Sequence, residues 1–92
     1  MMMKNDEIIA TPPGETIKEQ LKQQHMSRKE LAKKMCISDK ELALLLEGKA
    51  LLTTEIANKL EKTLGISAKF WNRLEEIYLE KLVLIKERKN KK

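Results

Sequence analysis

Met26-Ser27-Arg28-Lys29-Glu30-Leu31-Ala32-Lys33-Lys34-Met35-Cys36-Ile37-Ser38-Asp39-Lys40-Glu41-Leu42-Ala43-Leu44-Leu45-Leu46-Glu47-Gly48 holds two helix starts in one short span. Ser27 is followed three residues later by Glu30, and Ser38 by Glu41. This is the spacing of a capping box: the serine oxygen accepts from an orphan backbone N–H while the glutamate reaches back to the N–H of the cap. Between the two starts there is room only for a short helix and a tight connection. Ala32 falls in the middle of that first helix, where a small side chain lets a second helix cross closely.

The apolar register agrees. Leu31 and Met35 lie one turn apart, and Ile37, Leu42, Leu45 and Leu46 give the second helix a buried side. Asp39, Lys40, Ala43 and Glu47 face outward, and Leu44 joins them as an apolar residue on a polar face. Two short capped helices in this arrangement are a helix-turn-helix.

Working outward, Pro12-Pro13-Gly14-Glu15 breaks any earlier structure and places helix formers directly after it. A helix is expected from about Glu15 to Gln24, with Ile17 and Leu21 inward. His25 then occupies a helix end, a position that favours glycine because the backbone turns left-handed there. As the only histidine in the chain, it reads as a helix-end residue rather than a ligand. Cys36 sits at the turn between the two capped helices, without a nearby base, and reads as a small, partly buried turn residue.

The second capped helix ends at Gly48. After a connection from Lys49, Thr53 or Thr54 caps a fourth helix with Ile56, Ala57, Leu60 and Leu64 on one face, stopping at Gly65. Ser67 caps a fifth helix, which meets no Gly or Pro before the C-terminus. Phe70, Leu74 and Ile77 form one stripe on it; Trp71, Tyr78 and Ile85 form another at heptad spacing. Leu79, Leu82, Val83, Leu84 and Ile85 then point around the whole circumference. A small domain cannot bury all of these behind itself, so a partner helix or partner protein is expected there.

The chain has 92 residues, which suit one domain with one modest core. Its richness in Lys, Glu, Leu, Ile and Ala, with few aromatics, predicts an all-α, five-helix fold. Residues 1–11 read as an arm, 12–78 as the helix-turn-helix domain, and 79–92 as a C-terminal helix extension with a basic tail. The formal net charge of +5 suits a phosphate-bearing partner. One cysteine excludes an intrachain disulfide and a cysteine metal cluster, and fits a reducing cytoplasm. No apolar run approaches a membrane span and no signal peptide is recognised. Paired histidines, a cysteine cluster and a glycine-rich phosphate loop are all missing from the sequence. An enzyme, a metal site and a cofactor are therefore not expected.

Taken together, these marks resemble the lambda-repressor-like (XRE) helix-turn-helix domains and, more narrowly, the HigA-type antitoxins, also described as plasmid-maintenance antidote or virulence-associated proteins. The resemblance covers roughly residues 12–78. It rests on Pro13-Gly14-Glu15, Met26-Ser27 with Glu30-Leu31-Ala32, and Leu45-Leu46 with Gly48-Lys49. Ala57 with Leu60, Leu64-Gly65-Ile66-Ser67, and Phe70-Trp71 with Leu74 and Tyr78 complete it. The Phe-Trp pair after a capping serine, with a tyrosine seven residues beyond the Trp, separates this branch from phage-type repressors. Two departures stand out. His25 and Cys36 replace the family's common glycines, and Asp39, Glu41 and Glu47 make the reading helix acidic.

The resemblance implies an antitoxin that neutralises a small mRNA-cleaving toxin of the HigB/RelE kind and represses its own operon as a homodimer. A stand-alone XRE-type repressor without a toxin is the alternative. The toxin follows from the resemblance alone, whereas the DNA contacts follow from the residues. Ser38, Asp39, Lys40, Ala43 and Leu44 lie at the start and outward face of the second capped helix, where side chains meet base edges in the major groove. Lys40 is placed to donate to guanine, and Ala43 or Leu44 to meet a thymine methyl. Arg28, Lys29 and Lys49 are placed to hold phosphates, aided by the helix N-termini.

Overall fold

Hydroxyl side chains start four of the helices. Ser27 Oγ accepts from the Glu30 N–H at 3.1 Å, Ser38 Oγ from Glu41 at 3.0 Å, Thr53 Oγ1 from Ile56 at 3.2 Å and Ser67 Oγ from Phe70 at 3.2 Å. Each satisfies a backbone donor that the first turn leaves without an intrahelical acceptor. The remaining helix starts on Pro13, whose fixed φ suits the first helical position. The computed structural model describes residues 10–90, with side chains to residue 87. Five helices follow in order: α1 (Pro13–Gln23), α2 (Arg28–Met35), α3 (Asp39–Leu46), α4 (Thr54–Leu64) and α5 (Ala68–Asn90). Most of the expected N-terminal arm and the end of the basic tail lie outside the described residues.

The box at Ser38 is complete, because the Glu41 carboxylate accepts the Ser38 N–H at 2.9 Å. The box expected at Ser27 is half formed. Glu30 extends instead toward Lys34, at 3.8 Å, and its cap is made by the serine alone. α1 starts two residues earlier than expected, at Pro13.

Three helix ends share one device. The Met26 N–H donates to Leu21 O, Ile37 to Ala32 O and Lys49 to Leu44 O, at 2.9, 3.0 and 2.8 Å. Each bond spans a residue in the left-handed region: His25 (φ 54°), Cys36 (φ 59°) and Gly48 (φ 76°). These are Schellman ends, in which a 6→1 bond satisfies a free carbonyl. The left-handed positions were legible in the sequence. The expectation that Cys36 is partly buried is corrected: its side chain is exposed, since the left-handed turn projects it away from the α2–α3 packing.

The core gathers Ile17 and Leu21 from α1, Leu31, Ala32 and Met35 from α2, and Leu42, Leu45 and Leu46 from α3. Leu52, Ala57, Leu60, Leu64 and Trp71 close it from the other side. Met26 and Ile37, each directly before a cap, are half-buried against this cluster. Trp71 is fully buried, and its indole N–H donates to Ile66 O at 3.2 Å. α3 packs on α1 and α2, α4 on α2 and α5, and α1 also on α5. α5 runs without interruption past the domain. The first half of its length serves the core, and the second half leaves it.

Candidate nucleic-acid interface

α3 is held by α1 and α2, and this fixes the direction of its free face. Leu42, Leu45 and Leu46 point into the core. Asp39, Lys40 and Glu47 are exposed, Leu44 is 37 % exposed, and Ala43 is half-buried. Of these, Lys40, Leu44 and Glu47 follow i, i+4, i+7 spacing and share one stripe opposite the core. Of the sequence-expected readers, Lys40 and Leu44 share this stripe, Ala43 lies beside it, and Ser38 and Asp39 stand at the helix start. Ser38 itself is committed to its capping box, so its hydroxyl is already engaged with the helix backbone.

Much of the acidity of this helix is already engaged. Glu41 is turned back onto the Ser38 N–H, and Glu47 pairs with Lys49 at 3.6 Å. That pair is exposed and easily exchanged for another partner. Asp39 sits in the first turn, where a carboxylate complements the positive end of the helix. The face that remains presents one cation, Lys40, and one bulky apolar side chain, Leu44.

Arg28 and Lys29 are exposed in the first turn of α2, beside its free backbone N–H groups. Neither has an ion-pair partner among the described residues, and the same holds for Lys33 and Lys40. A cationic helix start of this kind suits a phosphate. Lys49 is exposed at the other end of the helix-turn-helix segment, immediately after Gly48.

Three residues that position this surface were not singled out for that task. A Cβ built on Gly14 would lie 2.3 Å from Leu46 O and 2.7 Å from Leu45 O, so α1 touches the end of α3 backbone to backbone. A Cβ on Gly48 would lie 3.0 Å from the Pro12 ring and 3.4 Å from the Tyr78 hydroxyl, which back the turn after α3. Glu75, 7 % exposed, accepts the Leu52 N–H at 3.2 Å and ties the connection after α3 to α5. A proline-glycine pair reads as a helix breaker and a helical glutamate as a solvated residue, so neither signals a packing role.

The apolar side chains expected to crowd the end of α5 stand at its surface. Leu79, Leu82, Val83 and Leu84 are exposed, and Ile85 is half-buried. Phe70 is exposed as well, stacked edge-on against Trp71 with ring centroids 5.4 Å apart. No helix among the described residues is long and apolar enough to cross a membrane.

Comparison with known proteins places this geometry. The helix-turn-helix family model matches residues 17–71. An uncharacterised HTH-type transcriptional regulator of Escherichia coli (strain K12), YddM, is 38 % identical over 66 residues, covering 72 % of this chain and 70 % of that protein. Among solved structures, an addiction module antidote protein of a HigA family from Coxiella burnetii is 32 % identical, with 87 % of this chain and 88 % of that chain aligned at a TM-score of 0.80. The Pseudomonas aeruginosa antitoxin HigA, solved with higBA promoter, shares the fold at a TM-score of 0.80 and 22 % identity, over 88 % of this chain and 89 % of that one. This is a non-enzymatic DNA-binding fold family. With its capped reading helix, its Schellman turns and its Trp71-centred core, the chain belongs to the helix-turn-helix family and, within it, to the HigA antidote proteins.

Proposed function

We propose that this chain is the antitoxin of a toxin–antitoxin pair, which represses its own operon by binding operator DNA as a homodimer and neutralises a small mRNA-cleaving toxin of the HigB/RelE kind. The observation that carries the DNA half is the outward stripe of α3, together with the exposed cations Arg28 and Lys29 at the start of α2 and Lys49 after the end of α3. Ser38, Asp39, Lys40, Ala43 and Leu44 meet base edges, and the flanking cations hold phosphates. The promoter DNA bound by the Pseudomonas aeruginosa relative supports the same class of ligand here. A protein that works on operator DNA belongs in the cytoplasm.

The apolar end of α5 supports the partner half. Residues 12–78 form the DNA-binding unit, and α5 from Leu79 onward forms the partner-binding extension. Leu79, Leu82, Val83, Leu84 and Ile85 supply the contacts with a second copy and with the toxin. The likeness to the transcriptional regulator YddM favours a second reading, a stand-alone repressor.

Two measurements test these readings. Footprinting of the DNA upstream of the gene is expected to reveal a protected inverted repeat. Co-expression with the product of the adjacent gene is expected to yield a copurifying complex and to relieve growth arrest. A protected repeat without any copurifying toxin assigns the chain to the stand-alone repressors.

A further inference from the structure

Beyond Lys40, the outward stripe of α3 offers no side chain that reads a base by paired hydrogen bonds. Asp39–Leu46 contains no Arg, Asn or Gln, which leaves Lys40 as its one candidate for guanine. Glu41 is spent on the Ser38 N–H at 2.9 Å, and Glu47 leans on Lys49 at 3.6 Å. What stands free one turn beyond Lys40 is Leu44, 37 % exposed on the outward side. Leu44 also borders a shallow crevice of about 190 Å³ with Leu51, Ala50 and Ile56, so its outer surface continues into further apolar surface. A base edge offers one apolar group to such a surface in the major groove, the C5-methyl of thymine.

We propose that Leu44 is a specificity-determining residue of α3 and reads thymine by its methyl group, beside Lys40, which marks a guanine nearby. This rests on the operator-binding reading above. One turn of helix rises 5.4 Å and a base pair about 3.4 Å, so the two readers meet base pairs one or two steps apart. The part of the specificity that Leu44 supplies then comes from burying a methyl group, whereas the phosphate contacts from α2 and Lys49 are indifferent to sequence.

The test uses the full chain and a duplex covering the protected region upstream of its own gene. One version carries thymidine and the other deoxyuridine, which lacks only the C5-methyl, and both are titrated at one fixed salt concentration. Wild-type protein is expected to bind the uracil duplex about fourfold more weakly for each methyl group that Leu44 no longer buries, which corresponds to ~0.8 kcal/mol. Leu44→Ala is expected to bind both duplexes alike, and Leu44→Met to keep much of the discrimination. Comparing the ratios between variants removes any effect of uracil on the duplex itself. Wild-type binding that ignores the methyl overturns the inference, as does a Leu44→Ala variant that keeps the full discrimination. If Leu44 and Leu51 instead meet a second copy, Leu44→Ala weakens self-association while binding stays insensitive to uracil, which also overturns it. Failure to bind any upstream fragment removes the operator-binding reading, and this inference with it; uracil-insensitive binding removes this inference alone.

Discussion

The carboxylate of Glu75 on α5 accepts the backbone N–H of Leu52, 23 residues away in the chain, at 3.2 Å and out of contact with bulk water. The connection leaving α3 is thereby fastened to the long helix α5. Glu75→Ala leaves a buried donor without an acceptor, which costs about 1–3 kcal/mol. Glu75→Gln retains a carbonyl at the same place and is expected to lose clearly less. Urea unfolding of the two variants checks this. Equal losses would mean that the charge, and not the acceptor, is what the site requires.

Gly14→Ala separates two opposing effects. On helix propensity alone alanine stabilises by up to about 1 kcal/mol. Here its methyl would meet the backbone carbonyls of Leu45 and Leu46, which cannot swing away as a side chain would. Overpacking of this kind typically costs about 1–3 kcal/mol, so a net loss of stability is expected. Because α3 would shift with it, operator affinity should fall as well. A variant more stable than wild type by thermal unfolding would show that α1 and α3 can part without cost.

The helix ends were largely readable from sequence, and the contacts across the fold were not. Ser27, Ser38, Thr53 and Ser67 announce their caps because each cap is closed within three residues of chain. His25 and Cys36 betray left-handed turns because a helix must end there for local reasons. Gly14 and Glu75 act on residues 32 and 23 positions away respectively, and no local pattern encodes such a meeting. Leu44 was legible as an apolar residue on a polar face and, with Ala43, as a candidate to meet a thymine methyl. That Glu41 and Glu47 are engaged elsewhere was not legible, because either could have faced the same surface freely.

Cys36→Gly follows from the same turns. A left-handed backbone costs a non-glycine residue roughly 1–2 kcal/mol, and glycine gives back part of that by loosening the unfolded chain. A net gain of about 0.5–1 kcal/mol is expected, with a smaller one for His25→Gly, since histidine enters this region more readily. Chemical denaturation of both variants decides it. Loss of stability in Cys36→Gly would mean that the exposed side chain contributes more than its backbone strain costs.

The cations proposed to meet DNA are expected to divide by what they touch. Lys49→Ala is expected to weaken binding to specific and unrelated duplexes alike, and to lower the slope of log affinity against log salt by about 1. Lys40→Ala should instead lose about 1–3 kcal/mol of discrimination at one base-pair position. Arg28→Ala and Lys29→Ala should follow the Lys49 pattern. Titrations at several salt concentrations, on operator and scrambled duplexes, distinguish the two classes. A Lys40 variant that loses equally on both would move Lys40 to the phosphates.

The apolar end of α5 sets the last expectation, that the protein is a homodimer held substantially by this helix. Leu79, Leu82, Val83 and Leu84 are exposed, with Val83 at 55 %, on a helix that continues unbroken to Asn90. It does not bend back to cover them. Burying a leucine-sized side chain is worth roughly 1.5–3 kcal/mol, so several left in water represent a large stabilisation available to a second chain. Two-fold pairing along α5 would set two copies of α3 at a fixed separation, and half-sites about 34 Å apart, or a multiple, would match it. Sedimentation equilibrium of the full chain and of a version ending at Leu79 tests this. The shortened chain keeps Trp71 and Glu75, and with them the contacts that hold α5 to the core. A dimer that becomes monomeric on shortening is the expected result. A full-length monomer at micromolar concentration removes the dimer, and a shortened chain that still pairs places the interface elsewhere on the domain.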